Sequence, residues 1–308
     1  MSSDPFISVD YWAKKANLFI DNLYKNRQHN YKYETEFNEV FTQFKKPIIF
    51  IKTDFIPNFI DQLLLFSDTF ILITASNDDH CVPYLNLPCK DDDYKNKVDK
   101  LLNKTELIRW YTKNPAIVHD KLIGFPLGPK WQWKTTRFFG ESKEEHLRIY
   151  NNLCLTPETK FYDTNSKPNL LYINYSQTTS NPLYSHHKGI RHKLTNILKN
   201  KFDFSGGTSF ENYMKELQTY KFCVSPPGRG IDTHRAWEAL MMGTIPIMIS
   251  TTQDHLFERL PVIIIDSWEQ ITKEFLIEKY DDIIQKSYDF DILYTNYWDN
   301  LLYIDQNS

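Results

Sequence analysis

Short apolar runs alternate along most of the chain with segments of helical periodicity, and this alternation limits the available folds more than any other feature. KPIIFIKTDF (Lys46 to Phe55), TFILITAS (Thr69 to Ser76), LIGFPLG, NLLYINYS, KFCVS, TIPIMIS and VIIID are dense in Ile, Leu, Val and Phe. They are too short for buried helices, and runs apolar on both faces are the strands of parallel sheets. Between them, PNFIDQLLLFSD reads as a helix with Pro57 in its first turn. HHKGIRHKLTNILKN, SFENYMKELQTY and IDTHRAWEALMMG also read as helices, as does the C-terminal stretch from WEQITKEF onward. YWAKKANLFIDNLY reads as one amphipathic helix, TELIRWYT as part of another, and GESKEEHLRIYNNLC as a third. KDDDYKNKVDK reads as a solvated charged segment. The pattern pauses at the polar, turn-rich TPETKFYDTNSKPN (Thr156 to Asn169), read as a linker. The expectation is an α/β chain of two layered domains, residues 1–165 and 166–287, facing each other across a cleft, with helices over 288–308.

Composition removes several classes of partner. The 308 residues are 41% hydrophobic and 24% charged, which excludes extended disorder. A net charge of −3 without a basic block argues against nucleic-acid binding. The polar start, MSSDPFISVDYWAKK, has no apolar leader, and no run approaches the roughly 18 apolar residues of a membrane span, so a cytoplasmic chain without an integral membrane segment is expected. Cys81, Cys89, Cys154 and Cys223 stand far apart, which suits reduced thiols and offers no zinc spacing.

The stretch SPPGRGIDTHRAWEALMMGTIPIMIS (Ser225 to Ser250) carries the chemistry. A strand ends at Ser225, two prolines stiffen its exit, and Gly228 and Gly230 flank Arg229, a loop that can take positive φ and admit a ligand to the main chain. Asp232 or Thr233 can cap the following helix. Strand, glycine loop and helix N-terminus together make an anion site, and Arg229 adds a forked cation suited to phosphate. Trp237, Leu240 and Met241 recur at the spacing of a packed face, while His234, Arg235 and Glu238 share the other side, either as intrahelical surface pairs or as a site. Gly243 should end the helix. The spacing is neither the phosphate loop of ATPases nor the dinucleotide fingerprint, which disfavours an ATPase, a dehydrogenase or an epimerase.

The same stretch resembles the donor-domain signature of exostosin-like (family 47-like) glycosyltransferases: strand, Pro-Gly loop, an Arg-x-x-Glu-Ala helix, then Gly-x-Ile-Pro. RWYTKNPAIVHDKLIGFPLGPKW, FILITASNDDHCVPY, and NLLYINYSQTTSNP with Arg191 resemble further segments of that family, so the likeness runs from Lys46 to Asp266. It implies a GT-B fold, two Rossmann-like domains with parallel sheets facing a central cleft, whose C-terminal helices from Tyr288 return to the first domain. The implied activity is inverting transfer of a sugar from a nucleotide-sugar donor to a glycan or other hydroxyl acceptor, with no obligatory metal and no cofactor beyond the donor. Gly228, Arg229, Gly230, His234, Arg235, Glu238 and Arg191 are then candidates for donor binding, with arginine neutralising the diphosphate leaving group and Glu238 accepting the ribose hydroxyls by resemblance. Arg191 reads equally as a surface arginine.

Inverting transfer needs a general base near the acceptor. SNDDH follows TFILITA directly and offers Asp79, with Asp78 close behind and His80 as a further candidate, although the same loop also reads as a solvated turn. Asn114 and Trp131 are acceptor candidates, and Lys121 and Trp133 lie near them in sequence. Asp91-Asp92-Asp93 and Asp289-Phe290-Asp291 read as solvated charge rather than a metal pair. Family members carry an N-terminal membrane anchor that this sequence does not show, which leaves compartment and acceptor open. The competing reading is a catalytically silent relative that binds a nucleotide or glycan.

Overall fold

A computed structural model describes residues 9–20, 39–75, 82–83, 91–130, 143–154, 156–177 and 189–307. The described residues divide into two compact units, one lying within Ser8–Phe125 and Asn296–Ser308, the other within Pro126–Thr295.

In the unit that begins at Ser8, the elements run α1 (Val9–Lys15), β1 (Leu18–Ile20), β2 (Ile48–Lys52), α2 (Ile56–Leu65), β3 (Phe70–Ala75), α3 (Asp92–Asn103), β4 (Leu107–Thr112) and β5 (Leu122–Gly124). All five strands are parallel and pair in chain order. Every residue of β3 is buried, as expected of a central parallel strand. Three readings change. The helix expected over residues 11–24 stops at Lys15, because LFI pairs with β2, Leu18 opposite Ile49 and Ile20 opposite Ile51. TELIRWYT supplies strand β4 rather than a helix, since it lies between β3 and β5 and buries Leu107, Trp110 and Tyr111. KDDDYKNKVDK, read as a solvated charged segment, leads into α3, where Tyr94, Val98, Leu101 and Leu102 recur at i, i+4, i+7 and i+8 and pack inward. Asp91 caps that helix by accepting the Tyr94 N–H at 3.0 Å, while Asp92 and Asp93 pair with Lys95 and Lys97.

The unit from Pro126 holds α4 (Lys143–Leu153), α5 (Pro157–Tyr162), β6 (Asn169–Tyr172), α6 (Ile190–Leu198), α7 (Phe210–Gln218), β7 (Tyr220–Val224), α8 (His234–Met241), β8 (Ile245–Ile249), β9 (Ile263–Ile265) and α9 (Lys273–Ile284). Its four strands are again parallel and in chain order, β6-β7-β8-β9. Parallel strands alternating with helices make each unit a Rossmann-like α/β layer. The segment read as a linker contains α5 and a 3-10 turn, Thr164–Ser166. Phe161 of α5 is buried, and Gly243 explains how closely the two elements approach. Gly243 follows α8 with φ +67, its N–H donating to Leu240 O at 3.0 Å, and a Cβ there would lie 2.4 Å from the Lys160 and Phe161 backbone. The buried Lys167 ammonium donates to Gln218 O and Met242 O, carbonyls at the ends of α7 and α8, where the helix dipoles favour a cation. Burial, followed by the neighbouring Lys160, pulls its pKa down to about 8.

The last helix, α10 (Thr295–Asn307), packs in the unit of β1–β5. Trp298 meets Trp12 edge-on at 5.3 Å, and Trp12 also packs on Tyr111 and Phe125. Tyr11 donates to Asp299 and Tyr111 donates to the buried Asp305, each at 2.5 Å. Burial and these carboxylates push both phenols far above the ordinary tyrosine range. Among the described residues, no helix is long and apolar enough to cross a membrane.

Candidate functional site

The loop after β7 leaves the sheet under tight control. Ser225 N–H continues the ladder to Ile247 O at 2.9 Å, and the main chain then turns through Pro226 and Pro227. Prolines cannot donate, so their carbonyls depend on donors from elsewhere. Arg191, from the first turn of α6, supplies them: Nε donates to Pro227 O at 2.9 Å and Nη2 to Pro226 O at 3.2 Å, while Nη1 reaches Ser176 O at 3.1 Å. Arg191 is therefore a buried brace, not a surface arginine. Its pKa falls to about 10, first from burial and then from repulsion by Arg235.

Gly228 N–H bonds Gly230 O at 3.1 Å, and neither glycine takes positive φ; among the described residues the left-handed glycines are Gly128, Gly189 and Gly243. Gly228 and Gly230 are buried, and the Arg229 between them is exposed.

Helix α8 begins with Thr233 as its N-cap residue, without a side-chain cap bond. The preceding Asp232 does more. Its carboxylate accepts the Thr233 N–H at 2.7 Å, the Leu127 N–H at 2.7 Å and the buried Trp237 indole N–H at 2.8 Å. Two further α8 side chains hold the same strap, residues 127–130: His234 Nδ1 donates to Gly128 O at 2.8 Å, and Glu238 Oε1 accepts the Lys130 N–H at 3.2 Å. Glu238 is 4% exposed, not solvent-facing as its position opposite Trp237 suggested. Tyr213 donates to its Oε2 at 2.9 Å and Tyr150 to its Oε1 at 3.3 Å. Burial, then the charge of Glu238, holds both phenols well above the usual range and keeps them as donors. Sequence reasoning missed Asp232 as the clamp and the two tyrosines; the Pro-Leu-Gly-Pro run and the buried-face spacing of Tyr213 were the available signals.

Arg235 remains. It is half-buried, lies over the Tyr213 ring at 6.0 Å, and its Nε has no hydrogen-bond partner. Among the described residues, neither Arg191 nor Arg235 forms an ion pair with a carboxylate. Two desolvated guanidiniums close enough to repel each other, beside a loop that presents a third, favour an anion, while the nearby Glu238 and Tyr213 support the charge of Arg235. A recess of about 280 Å³, counted with the solvent open to it, adjoins the loop between the ends of β7 and β8 and the start of α8, lined by Ser225, Pro227, Ile231, Thr233, Met248 and Gln253 among others.

Asp78, Asp79, His80 and Trp131 lie outside the described residues, as do Trp133, Cys81 and Cys89. Asn114 stands just beyond the C-terminal end of β4, buried, with φ 55, a left-handed conformation that Asn tolerates better than most residues. Lys121 precedes β5 and donates to Lys104 O, at the opposite strand end from Asn114. Asp289 pairs with Arg259 and accepts the Asp291 N–H.

Fold and site together define a Rossmann-like α/β protein with a cationic loop at the carboxyl end of a parallel strand. No known protein-family model matches the chain, and no curated protein matches it at a significant level.

Proposed function

We propose that this chain is an inverting, exostosin-like glycosyltransferase of GT-B type that moves a sugar from a nucleotide-sugar to a hydroxyl acceptor. The observation that carries the reading is the pair of neighbouring desolvated guanidiniums, Arg191 and Arg235, beside the loop that follows β7. Loss of a nucleoside diphosphate is the hard step of such a transfer, and fixed cations beside the departing diphosphate stabilise its developing charge. In this reading Arg235 and Arg229 touch the diphosphate. Arg191 shapes the Pro226–Pro227 turn that presents Arg229, and Gly228 and Gly230 flank Arg229. The arginines carry the charge that a metal ion carries in other transferases. His234 and Glu238 position the 127–130 strap; for Glu238 to bind a ribose, Tyr213 or the Lys130 N–H must give way. Asp79, four residues after β3 in sequence, takes the acceptor proton, with Asp78 and His80 as alternatives, and Asn114 and Trp131 contact the acceptor.

The test is consumption of a panel of nucleotide-sugars in the presence of glycan acceptors, read as released nucleoside diphosphate. Asp79→Asn should lower turnover by ~100- to 10,000-fold while nucleotide binding persists. Full turnover in that variant removes Asp79 from the role. Binding of nucleoside diphosphates with no sugar consumed in the parent protein favours the silent binding module instead.

A further inference from the structure

Glu238 follows Arg235 by three residues on α8, the spacing at which a carboxylate and a guanidinium meet on one helix face. It is close enough for its charge to act on Arg235. Arg235 nevertheless makes no ion pair among the described residues. It lies over the Tyr213 ring, 6.0 Å from the ring centre, and its Nε has no hydrogen-bond partner.

The carboxylate is occupied elsewhere. Its Oε2 accepts the hydroxyl of Tyr213, from α7, at 2.9 Å. Its Oε1 accepts the Lys130 N–H at 3.2 Å and the hydroxyl of Tyr150, from α4, at 3.3 Å. Tyr150 also lies 3.1 Å from Lys130 O, so its single proton is divided and Tyr213 is the firmer donor. Tyr213 thus stands between the two charges, its ring against Arg235 and its hydroxyl on Glu238. All of Glu238's partners are neutral, so they satisfy the buried carboxylate without consuming a cation. A buried carboxylate that loses a donor draws in the nearest cation, because an unmet buried charge is costly. Here that cation is Arg235, one turn back on the same helix.

We propose that Tyr213, with Tyr150 in support, is a positioning residue: it occupies Glu238 and so keeps Arg235 available to the diphosphate. The proposal rests on the diphosphate reading above. It gives Glu238 no contact with the donor. The carboxylate holds the strap at Lys130, and the phenols stop it from neutralising the guanidinium that the anion needs.

The experiment is calorimetric titration of the whole protein with inorganic pyrophosphate and with UDP, GDP and ADP. The proteins are the parent, Tyr213→Phe, Glu238→Gln and the double variant, each with a melting curve. Tyr213→Phe keeps the ring but frees Oε2 for Arg235, and should bind pyrophosphate at least about tenfold more weakly, the worth of one charge-assisted contact. Glu238→Gln removes the competitor and should bind pyrophosphate no more weakly than the parent. The double variant should return to within about twofold of Glu238→Gln, a rescue that mere loss of packing would not give. Unchanged binding by Tyr213→Phe, or a double variant as weak as Tyr213→Phe, overturns the proposal. Should Tyr213→Phe not fold, Glu238→Gln decides: pyrophosphate affinity at or above the parent's supports the proposal, and a loss overturns it. Glu238→Gln that binds the nucleoside diphosphates more weakly but pyrophosphate normally also overturns it, since the carboxylate then reaches the ribose; the diphosphate reading survives. A parent that binds neither pyrophosphate nor any nucleoside diphosphate removes the diphosphate reading and the proposal together.

Discussion

Replacing Asp232 by Asn should release the strap over residues 127–130 and destabilise its unit. The aspartate accepts on both oxygens: Oδ1 serves the Thr233 N–H and the Trp237 indole, and Oδ2 serves the Leu127 N–H while lying 2.9 Å from the same indole nitrogen. An asparagine keeps the shape but accepts on one side only. With its oxygen toward Thr233 and Trp237, its NH2 faces the Leu127 N–H, donor against donor; flipped, it abandons the other two. Either orientation leaves at least one backbone or indole donor and one amide donor unmet in a buried setting. At about 1–3 kcal/mol for each orphan, less some relaxation, the loss should be about 3 kcal/mol. For a unit of about 170 residues that corresponds to a fall in Tm of roughly 6–12 °C. Urea unfolding followed by circular dichroism gives the free energy, and hydrogen exchange at the Leu127 amide shows whether the clamp opened. A loss below 1 kcal/mol, with Leu127 still protected, would refute the clamp.

Lys167 gives a pH signature. Its folded pKa, about 8, lies below the ordinary 10.5, so between those values the unfolded chain holds more protons and stability rises with pH; the gain is at most about 3 kcal/mol and is absent below pH 8. Lys167→Met should flatten the stability profile between pH 8 and 10.5, and an unchanged slope counts against the buried ammonium. Gly243→Ala combines a positive φ with a Cβ 2.4 Å from backbone atoms, so it should cost more than about 3 kcal/mol, and a variant melting within 3 °C of the parent contradicts that packing. Deleting residues 295–308 uncovers Trp12 and removes the Asp305 partner of Tyr111, so the β1–β5 unit should become protease-sensitive and bind hydrophobic dyes; a truncated chain as resistant as the parent rules out a structural role for α10.

Most strands were legible because a fully buried parallel strand announces itself by continuous apolar residues, as FILITA and IPIMI do. LIRWYT was not, because Arg109 and Thr112 break the run, and only its seat between β3 and β5 makes it a strand. The charged surface of α3 hid four inward residues at helical spacing, a pattern present in the sequence but outvoted by composition. The cationic loop was legible as local chemistry: prolines, glycines and an arginine between a strand and a helix. What its side chains do there was not. Glu238 has a carboxylate's chemistry in any setting, but its engagement by Tyr150, Tyr213 and the Lys130 N–H depends on residues up to 108 positions away.

The account rests on an anion held by desolvated guanidiniums, and titrating a nucleoside diphosphate into the parent and an Arg235→Gln variant tests that most directly. Arg235 makes no ion pair among the described residues, but its charge lies near Glu238 and Tyr213, so a melting curve of the variant accompanies the titration. A charge-assisted contact of about 1.5–3 kcal/mol predicts affinity roughly 10- to 150-fold weaker in the variant. In the parent, binding should also weaken as salt rises. Equal affinity in the two proteins, or no binding of any nucleoside diphosphate to the parent at low salt, would contradict the central claim.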